Sequence, residues 1–371
     1  MKTLVIHAGS HKTGTSSIQR FLFKNKVHLE EKSISVFNKI SHPNYWVIPR
    51  FEDNGVRVSF RNGLIHELSK LNGNNVIISS ENFSWINSRR QLSKFVSEAK
   101  NNFDFVKVIF YLRRQDKQIV SHHQQGSKNI NFIERYFFGS DARAIPRYRK
   151  HFDHYFNYEQ RLLKWADATG KENILIRVYE KDRLYNSDVV EDFIRLVGID
   201  IKPESIRDNQ SNGREKVLIS HMMNQNNIVQ RRHEFIEKYL LNDEKLLPCR
   251  EDAREFYERY RVSNCNLNKA FDISESVELF DDDFSFYPEH SNELFTPVET
   301  SDILNRLLCA VSNLPLSLDE IDPLVADVLR DSAIALESVD IEKSRKLMWL
   351  AGKLRPDGPL IKLKNAEYSK L

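Results

Sequence analysis

The chain has 371 residues, of which 40% are hydrophobic and 29% charged, and its formal net charge is +3. This is the composition of a globular protein with room for two or three structural units, and its nearly balanced charge does not indicate nucleic-acid binding. No apolar run approaches a membrane span, and we expect no signal peptide because a strand is predicted at once. The three scattered cysteines lack metal-ligand spacing and favour a cytoplasmic protein with reduced thiols.

The first predicted elements are a short strand at residues 3–6, a glycine-containing segment at residues 7–17, and a helix with apolar spacing at Ile18, Phe21 and Leu22. A strand, a loop and a helix N-terminus in this order form an anion site. Unpaired backbone N–H groups point outward there, and the helix dipole favours negative charge. The alternative is an ordinary strand-to-helix turn that uses glycine for its geometry.

This loop differs in one respect from the P-loop of nucleoside-triphosphate enzymes. Gly9 and Gly14 have the spacing of that motif, but Thr15 follows Gly14 and the lysine stands earlier, at Lys12. The His-x-Gly strand end followed by Lys-Thr-Gly-Thr resembles the 5′-phosphosulfate loop of sulfotransferases, whose donor is 3′-phosphoadenosine 5′-phosphosulfate (PAPS). The resemblance implies that Lys12 stabilises the leaving group. It also implies that the phosphosulfate is held by Lys12, Thr13, Gly14, Thr15, Ser16 and Ser17.

A second apolar strand, predicted within residues 75–83, ends near the carboxylate of Glu81. In the sulfotransferases that act on heparan-type glycans, the catalytic base is a glutamate just after the strand between the two phosphate-binding motifs. Glu81 occupies the equivalent place, in the setting Ser-Ser-Glu-Asn-Phe where the family has Phe-Glu-Lys-Ser. The resemblance implies that Glu81 is the base. The alternative is a carboxylate that caps a helix N-terminus.

A third predicted strand, residues 106–112, runs into Arg113, and Ser121 follows eight residues later. Sulfotransferases bind the 3′-phosphate of the donor with an arginine and a serine at this spacing. An arginine can hold a phosphate through two parallel charge-assisted hydrogen bonds, and a hydroxyl adds another donor. The resemblance therefore implies that Arg113 and Ser121 bind the 3′-phosphate. The alternative is that Arg113 and Arg114 end a strand at the surface.

Histidines are rival candidates for the base, because cytosolic small-molecule sulfotransferases use one. His7 ends the first strand and resembles a family residue that supports the loop, and His11 lies in the loop itself. His122 and His123 follow Ser121 on a predicted helix, where at most one of them can face the cleft.

The rest of the core is predicted from alternating strand and helix patterns. Residues 130–153 are aromatic and basic, and form either an acceptor-site insertion or surface packing. A helix at Tyr158–Thr169, a strand at residues 173–179 and a helix at Val189–Val197 follow, and glycines end both helices. Arg177 lies on that strand, where a charged residue near the strand end is more often structural than ligand-binding.

Two polar segments are weaker candidates. Residues 209–213 form a loop that related proteins place near the nucleotide, although turn chemistry alone explains its composition. The three aspartates at 281–283 are typical of a solvated turn rather than of a metal site.

The C-terminal part shows only helical patterns after Pro297. Residues 327–338 and Ile341–Leu354 are predicted to form a helix pair that resembles a tetratricopeptide hairpin, although one repeat is too few for a solenoid. The expected contacts are Ala333, Ala335, Leu336, Ala351 and Leu354. This pair is expected to pack on the core, to recruit a protein partner or to form a homodimer.

We therefore expect an α/β protein with a P-loop-like, mostly parallel sheet flanked by helices. Its predicted parts are a core at 1–225, a helical extension at 226–295 and a helical C-terminal region at 296–371. The resemblance covers residues 1–290 and implies metal-free transfer of a sulfuryl group from PAPS to a hydroxyl or amine. The favoured acceptor is a carbohydrate of a bacterial surface polysaccharide or its precursor, and the alternatives are a small alcohol, a phenol or a lipid. A degenerate nucleotide-binding module is the alternative, and the displaced lysine argues against an ATP kinase.

Overall fold

The computed structural model describes residues 1–37, 45–52, 55–128, 133–203, 212–228, 232–241, 244–312 and 323–369. The chain divides into two compact units, one of residues 1–232 and 241–294 and the other of residues 233–240 and 295–371. None of the helices in the described ranges has the length and hydropathy needed to cross a lipid bilayer.

The first unit contains the strands. They are β1 (Thr3–His7), β2 (Ile34–Phe37), β3 (Val47–Glu52), β4 (Gly55–Phe60), β5 (Asn75–Ser79), β6 (Phe105–Leu112) and β7 (Ile174–Val178). Its helices are α1 (Thr15–Lys24), α2 (Lys26–Glu31), α3 (Leu64–Ser69), α4 (Arg89–Lys100), α5 (Gln115–Gly126), α6 (Ile133–Phe138), α7 (Asp153–Phe156), α8 (Tyr158–Thr169), α9 (Val189–Val197) and α10 (Arg214–Gln225).

The remaining helices are α11 (Arg232–Tyr239), α12 (Arg250–Phe271), α13 (Pro297–Ser312), α14 (Pro323–Leu336), α15 (Ile341–Leu354) and α16 (Pro359–Tyr368). Of these, α12 belongs to the first unit and α13 to α16 belong to the second, while α11 lies almost wholly in the second unit.

Five strands form a parallel sheet in the order β2-β5-β1-β6-β7, and β3 pairs with β4 in a separate antiparallel hairpin. Both faces of the sheet are buried. Leu4 and Ile6 of β1 pack into one hydrophobic cluster, whereas Val5 packs into another on the opposite face. This explains why the strands are continuous apolar runs rather than alternating ones. The predicted α/β class, with a mostly parallel sheet flanked by helices and a helical C-terminal region, is confirmed.

The second unit contains the predicted helix pair, α14 and α15, and a third helix, α16, which the sequence analysis did not predict. Its hydrophobic core is formed by Ala326, Leu329, Ala333, Leu347, Met348, Ala351, Ile361 and Tyr368. Ala335 is exposed, so its predicted contact is wrong. The helix begins at Pro323 rather than at residue 327, and its buried stripe runs through 326, 329 and 333 at helical spacing. Ala335 falls outside that stripe.

Two other segments considered in the sequence lie only partly within the described residues. The segment at 130–153 contains the short helix α6, and its residues 130–132 lie outside the described residues. The polar loop at 209–213 is described only from Asn212 onward.

Candidate functional site

The candidate site lies at the carboxyl edge of the sheet, where β5, β1 and β6 end side by side. His7 of β1 is in register with Ser79 of β5 and with Ile109 of β6. After β5 the chain passes to the other side of β1 to form β6, which makes this edge a topological switch point. Ligands of open α/β sheets bind in the crevice at such a point.

The loop after β1 is fixed by its own backbone. Ser10 N donates to Tyr111 O over 2.9 Å, and Tyr111 N donates to Gly9 O over 2.7 Å, so the loop stays paired to β6 beyond the end of β1. The backbone then turns through positive φ angles at Gly9 (81°), Lys12 (59°) and Gly14 (77°), and α1 begins at Thr15. The first N–H groups of a helix have no partner within the helix and can bind an anion.

The hydroxyl groups of the loop divide into two sets. Thr13 Oγ1 and Thr15 Oγ1 both donate to the carbonyl oxygen of Ser10, over 2.7 and 3.1 Å, and both side chains are buried. Ser16 is exposed and Ser17 is half-buried. The two threonines therefore shape the loop from within, and the hydroxyls that face outward belong to the serines.

Lys12 is half-buried in a charged setting. Burial is the main cause that lowers the pKa of its ammonium group, and the positive charges of Lys128 and Arg113 lower it further. The carboxylates of Glu134 and Glu81 act in the opposite direction. Two other cations and two acids thus lie close enough to Lys12 to change the pKa of its ammonium group.

Glu81 begins the 3₁₀ helix Glu81–Trp85 directly after β5. Its Oε2 accepts a hydrogen bond of 2.9 Å from Gln19 Nε2 of α1. Burial raises the pKa of the Glu81 carboxyl, and this effect outweighs the opposing effects of Gln19 and Lys12. Glu81 thus lies in the first turn of a helix, as the capping alternative predicts. It also lies beside the loop that follows β1, as its predicted role as the base requires.

Arg113 and Arg114 are neighbours with different surroundings. Arg114 is fully buried, and its guanidinium donates to both carboxylate oxygens of Asp116 (2.8 and 2.9 Å) and to Asp281. Arg113 is half-buried, and in the described chain its guanidinium makes no hydrogen bond or ion pair, while its carbonyl accepts from Tyr158 Oη at 2.8 Å. The side chain of Arg113 is therefore free for a ligand, and Asp281 serves as a structural partner of Arg114.

The other two polar candidates from the sequence, Ser121 and Arg177, lie on α5 and β7. Ser121 lies about two turns into α5 and is half-buried. Arg177 forms an ion pair with Asp192, which also accepts from Tyr111 Oη over 2.8 Å. Arg177 thus links β7 to α9 and has a structural role.

The four candidate histidines are all buried. His7 Nδ1 lies 2.8 Å from Ser79 Oγ, which ties β1 to β5, and burial lowers the pKa of His7 to about 3. Burial also lowers the pKa of His11, of His122 and, to about 4, of His123. All four imidazoles are therefore neutral at physiological pH, and none is exposed to an acceptor in the cleft.

Two residues near Lys12, Lys128 and Glu134, are not among the candidates predicted from the sequence. Glu134 is buried on α6, with its Oε1 3.4 Å from His122 Nε2 and 3.2 Å from the amide of Gln125. The signal that could have revealed it is a single acid within an aromatic segment. Its approach to α5 depends on Gly126, since a Cβ there would lie 3.1 Å from Glu134 Cβ.

His11, His122 and Glu134 are the one group of three potential metal ligands that the described residues bring together, with donor atoms within 4.8 Å of one another. Their geometry does not fit a metal ion. The two imidazole rings stack with centroids 4.3 Å apart and planes at 18°, so their lone pairs run nearly parallel instead of converging. Both nitrogens of His11 already have hydrogen-bond partners, because Nδ1 meets Tyr155 Oη and Nε2 accepts from Trp85 Nε1.

Comparison with known proteins gives few matches. No protein-family model matches the chain. An uncharacterized protein from Archaeoglobus fulgidus is 26% identical over 227 residues, which cover 57% of this chain and 58% of the archaeal protein, so the match spans less than two thirds of that relative. A sulfotransferase from Alicyclobacillus acidocaldarius aligns in structure with a TM-score of 0.40 and 14% identity, over 74% of this chain and 97% of the other. Similarity this low does not transfer an activity to this chain.

Proposed function

We propose that this protein is a sulfotransferase that moves a sulfuryl group from PAPS to a hydroxyl or amine of a carbohydrate. One observation carries the proposal: three adjacent parallel strands bring the loop with Lys12, the carboxylate of Glu81 and the guanidinium of Arg113, which has no partner within the described residues, to one edge of the sheet. A donor with a phosphosulfate at one end and a separate 3′-phosphate needs two anion sites. A base must lie beside the first of them.

The chemistry assigns each group one task. The acceptor oxygen or nitrogen forms a bond to sulfur as the bond from sulfur to the bridging oxygen of the donor breaks, and that oxygen keeps the electron pair. Lys12 and the N–H groups at the start of α1 stabilise the charge that develops there, which is usually the largest contribution to catalysis. The acceptor proton passes to Glu81. Arg113 and Ser121 hold the 3′-phosphate, and no covalent enzyme intermediate is needed.

The rival functions fit these residues less well. An ATP kinase would place its lysine directly after the second glycine of the loop, where this chain has Thr15. A degenerate nucleotide-binding module would have no need for a carboxylate whose pKa is raised beside the loop, as that of Glu81 is.

The carboxylates of the site support the proposed acceptor class. Two carboxylates, Glu81 and Glu134, lie near Lys12. Carboxylates accept hydrogen bonds from hydroxyl and ammonium groups, which supports a sugar or an amino sugar as the acceptor. None of the three cysteines forms a disulfide, and we propose a reducing compartment such as the cytoplasm for the reaction.

The proposal is tested by incubating the protein with PAPS and separate panels of sugars, amino sugars, phenols and aliphatic alcohols. The readout is release of adenosine 3′,5′-bisphosphate, with Glu81→Gln as the inactive control. Turnover with sugars or amino sugars supports the proposal. Turnover with phenols alone would overturn the acceptor class. Binding of the bisphosphate without turnover on any acceptor would favour the degenerate module.

A further inference from the structure

A buried arginine lies against the anion-binding loop. Arg161 of α8 is 1% exposed, and its Nη2 donates a hydrogen bond of 3.0 Å to Ser10 Oγ. Ser10 is the residue whose carbonyl oxygen accepts from both Thr13 and Thr15. The guanidinium of Arg161 thus donates directly to Ser10, the residue on which the shape of the loop depends.

The charge of Arg161 has no acidic partner in the described part of the chain, where no hydrogen bond or ion pair joins it to a carboxylate. Its Nε and Nη1 have no hydrogen-bond partner there either. Aromatic rings surround it instead, with the Cζ atom 4.7 Å from the centroid of Tyr155, 5.0 Å from Tyr158 and 5.8 Å from Phe110. Such rings attract a cation, but a buried charge without a counter-ion still costs free energy.

The same charge affects the neighbouring imidazoles. Burial lowers the pKa of His11 and His122, and the positive charge of Arg161 lowers both further. Arginine itself stays protonated in proteins, although burial lowers its pKa here as well. Since the two histidines remain neutral, the positive charge beside them is that of Arg161, and Glu134, whose Oε1 lies 3.4 Å from His122 Nε2, forms no ion pair with Arg161 in the described chain.

We propose that Arg161 is a positioning residue that holds Ser10 and supplies a buried positive charge, whose counter-ion is the anion bound in the loop at residues 9–17. The identity of that anion as the phosphosulfate of PAPS rests on the proposed function. The role of Arg161 requires only a multiply charged oxyanion. In the free protein the charge has no acidic partner among the described residues, and in the complex the bound anion balances it.

This role predicts effects of opposite sign on stability and on binding. Arg161→Met keeps an unbranched side chain inside the aromatic surround and removes the charge. The free variant should unfold at a temperature equal to or above that of the wild type, because an uncompensated buried charge has been removed. Its affinity for adenosine 3′,5′-bisphosphate should fall by about tenfold or more, and tenfold corresponds to about 1.4 kcal/mol. Arg161→Lys should restore part of the affinity.

The matched control is Arg195→Met. Arg195 also stacks on an aromatic ring, with its Cζ 4.2 Å from the centroid of Tyr185, but it is exposed on α9. The Arg195→Met variant loses the same charge and should keep the affinity for adenosine 3′,5′-bisphosphate unchanged. A purely structural role for Arg161 would give the reverse of the prediction: a less stable Arg161→Met protein that binds the bisphosphate as tightly as the wild type. That result would overturn the inference.

Inorganic pyrophosphate as a second probe separates this inference from the proposed function. If pyrophosphate stabilises the wild type but not Arg161→Met, and the bisphosphate stabilises neither, Arg161 has the proposed role and the donor is not PAPS. If the bisphosphate binds both proteins equally, the donor proposal stands and the role of Arg161 is refuted. If neither probe stabilises the wild type, the loop is no oxyanion site and both fail.

Discussion

Gly9 and Glu81, which follow the paired strands β1 and β5, are in close contact. A Cβ placed on Gly9 would lie 3.1 Å from both Cα and Cβ of Glu81, and Gly9 itself has a φ of 81°. The glycine therefore serves two purposes, since it permits a left-handed backbone and leaves room for the carboxylate beside the loop.

Gly9→Ala should reduce both stability and transfer. The left-handed backbone costs about 1 kcal/mol for a residue with a side chain, and the new methyl group must displace Glu81. Gly63→Ala is the matched control, because Gly63 has a φ of 87° and nothing within 4 Å of an added Cβ. Thermal unfolding and transfer assays should show that both variants lose stability while only Gly9→Ala loses transfer. Equal activity in the two would show that Glu81 does not depend on this contact.

Glu81→Gln should abolish transfer and leave donor binding intact. Loss of a general base typically lowers the rate by about a hundred- to ten-thousandfold, and the amide can keep a hydrogen bond to Gln19. The variant should also unfold at a higher temperature at pH 7, because the raised pKa of Glu81 means that its ionised form is unfavourable in the folded state. This gain should disappear in acid, where Glu81 is protonated. Glu98→Gln on the surface of α4 is the control, and full activity of Glu81→Gln would assign the base elsewhere.

The pH dependence of kcat/KM should be bell-shaped and narrow. Glu81 must be ionised, and its raised pKa places the acid limb above the usual range of a glutamate. Lys12 must be protonated, and its lowered pKa places the alkaline limb below the usual range of a lysine. In Lys12→Arg the cation keeps its proton, so the alkaline limb of the remaining activity should move upward while the acid limb stays. An unmoved alkaline limb would mean that another group causes it.

Arg113→Ala and Arg114→Ala should have contrasting effects. Removal of Arg113 should weaken bisphosphate binding by about 1.5–3 kcal/mol, the value of hydrogen bonds to a charged group, without a change in stability, because its guanidinium has no partner in the described chain. Removal of Arg114 should destabilise the protein by about 3–5 kcal/mol, since Asp116 would be left as a buried unpaired charge. Thermal unfolding and calorimetric titration separate the two outcomes. Unchanged affinity in Arg113→Ala would exclude it from the 3′-phosphate site.

The sequence predicts the part of the fold that local patterns determine. β1, β5, β6 and β7 are apolar runs, and the helices at Tyr158–Thr169 and Val189–Val197 have amphipathic spacing with glycine at the end of each. Because parallel strands end at one edge, the loop, Glu81 and Arg113 could be assigned to one site. Neither β2 nor the hairpin of β3 and β4 is predicted from the sequence.

Long-range packing determines the surroundings of several charged residues that local sequence patterns do not predict. No local pattern distinguishes Arg113, whose guanidinium has no partner in the described chain, from the buried Arg114, whose partner Asp281 is 167 residues away. The closeness of Glu134 to Lys12 depends on how α6 packs on α5 at Gly126, and the burial of Arg161 depends on the position of α8 relative to the loop. The sites of these residues are set by long-range contacts.

Thermal unfolding in the presence of EDTA, with adenosine 3′,5′-bisphosphate compared with ADP, tests the central claim most directly. A ligand at a hundred times its dissociation constant stabilises the folded state by about 2.7 kcal/mol, which is readily measured. We expect a large shift with the bisphosphate and little with ADP, because only the former carries the 3′-phosphate for Arg113 and Ser121. An equal shift with ADP, or none with the bisphosphate, would contradict a PAPS-dependent sulfotransferase.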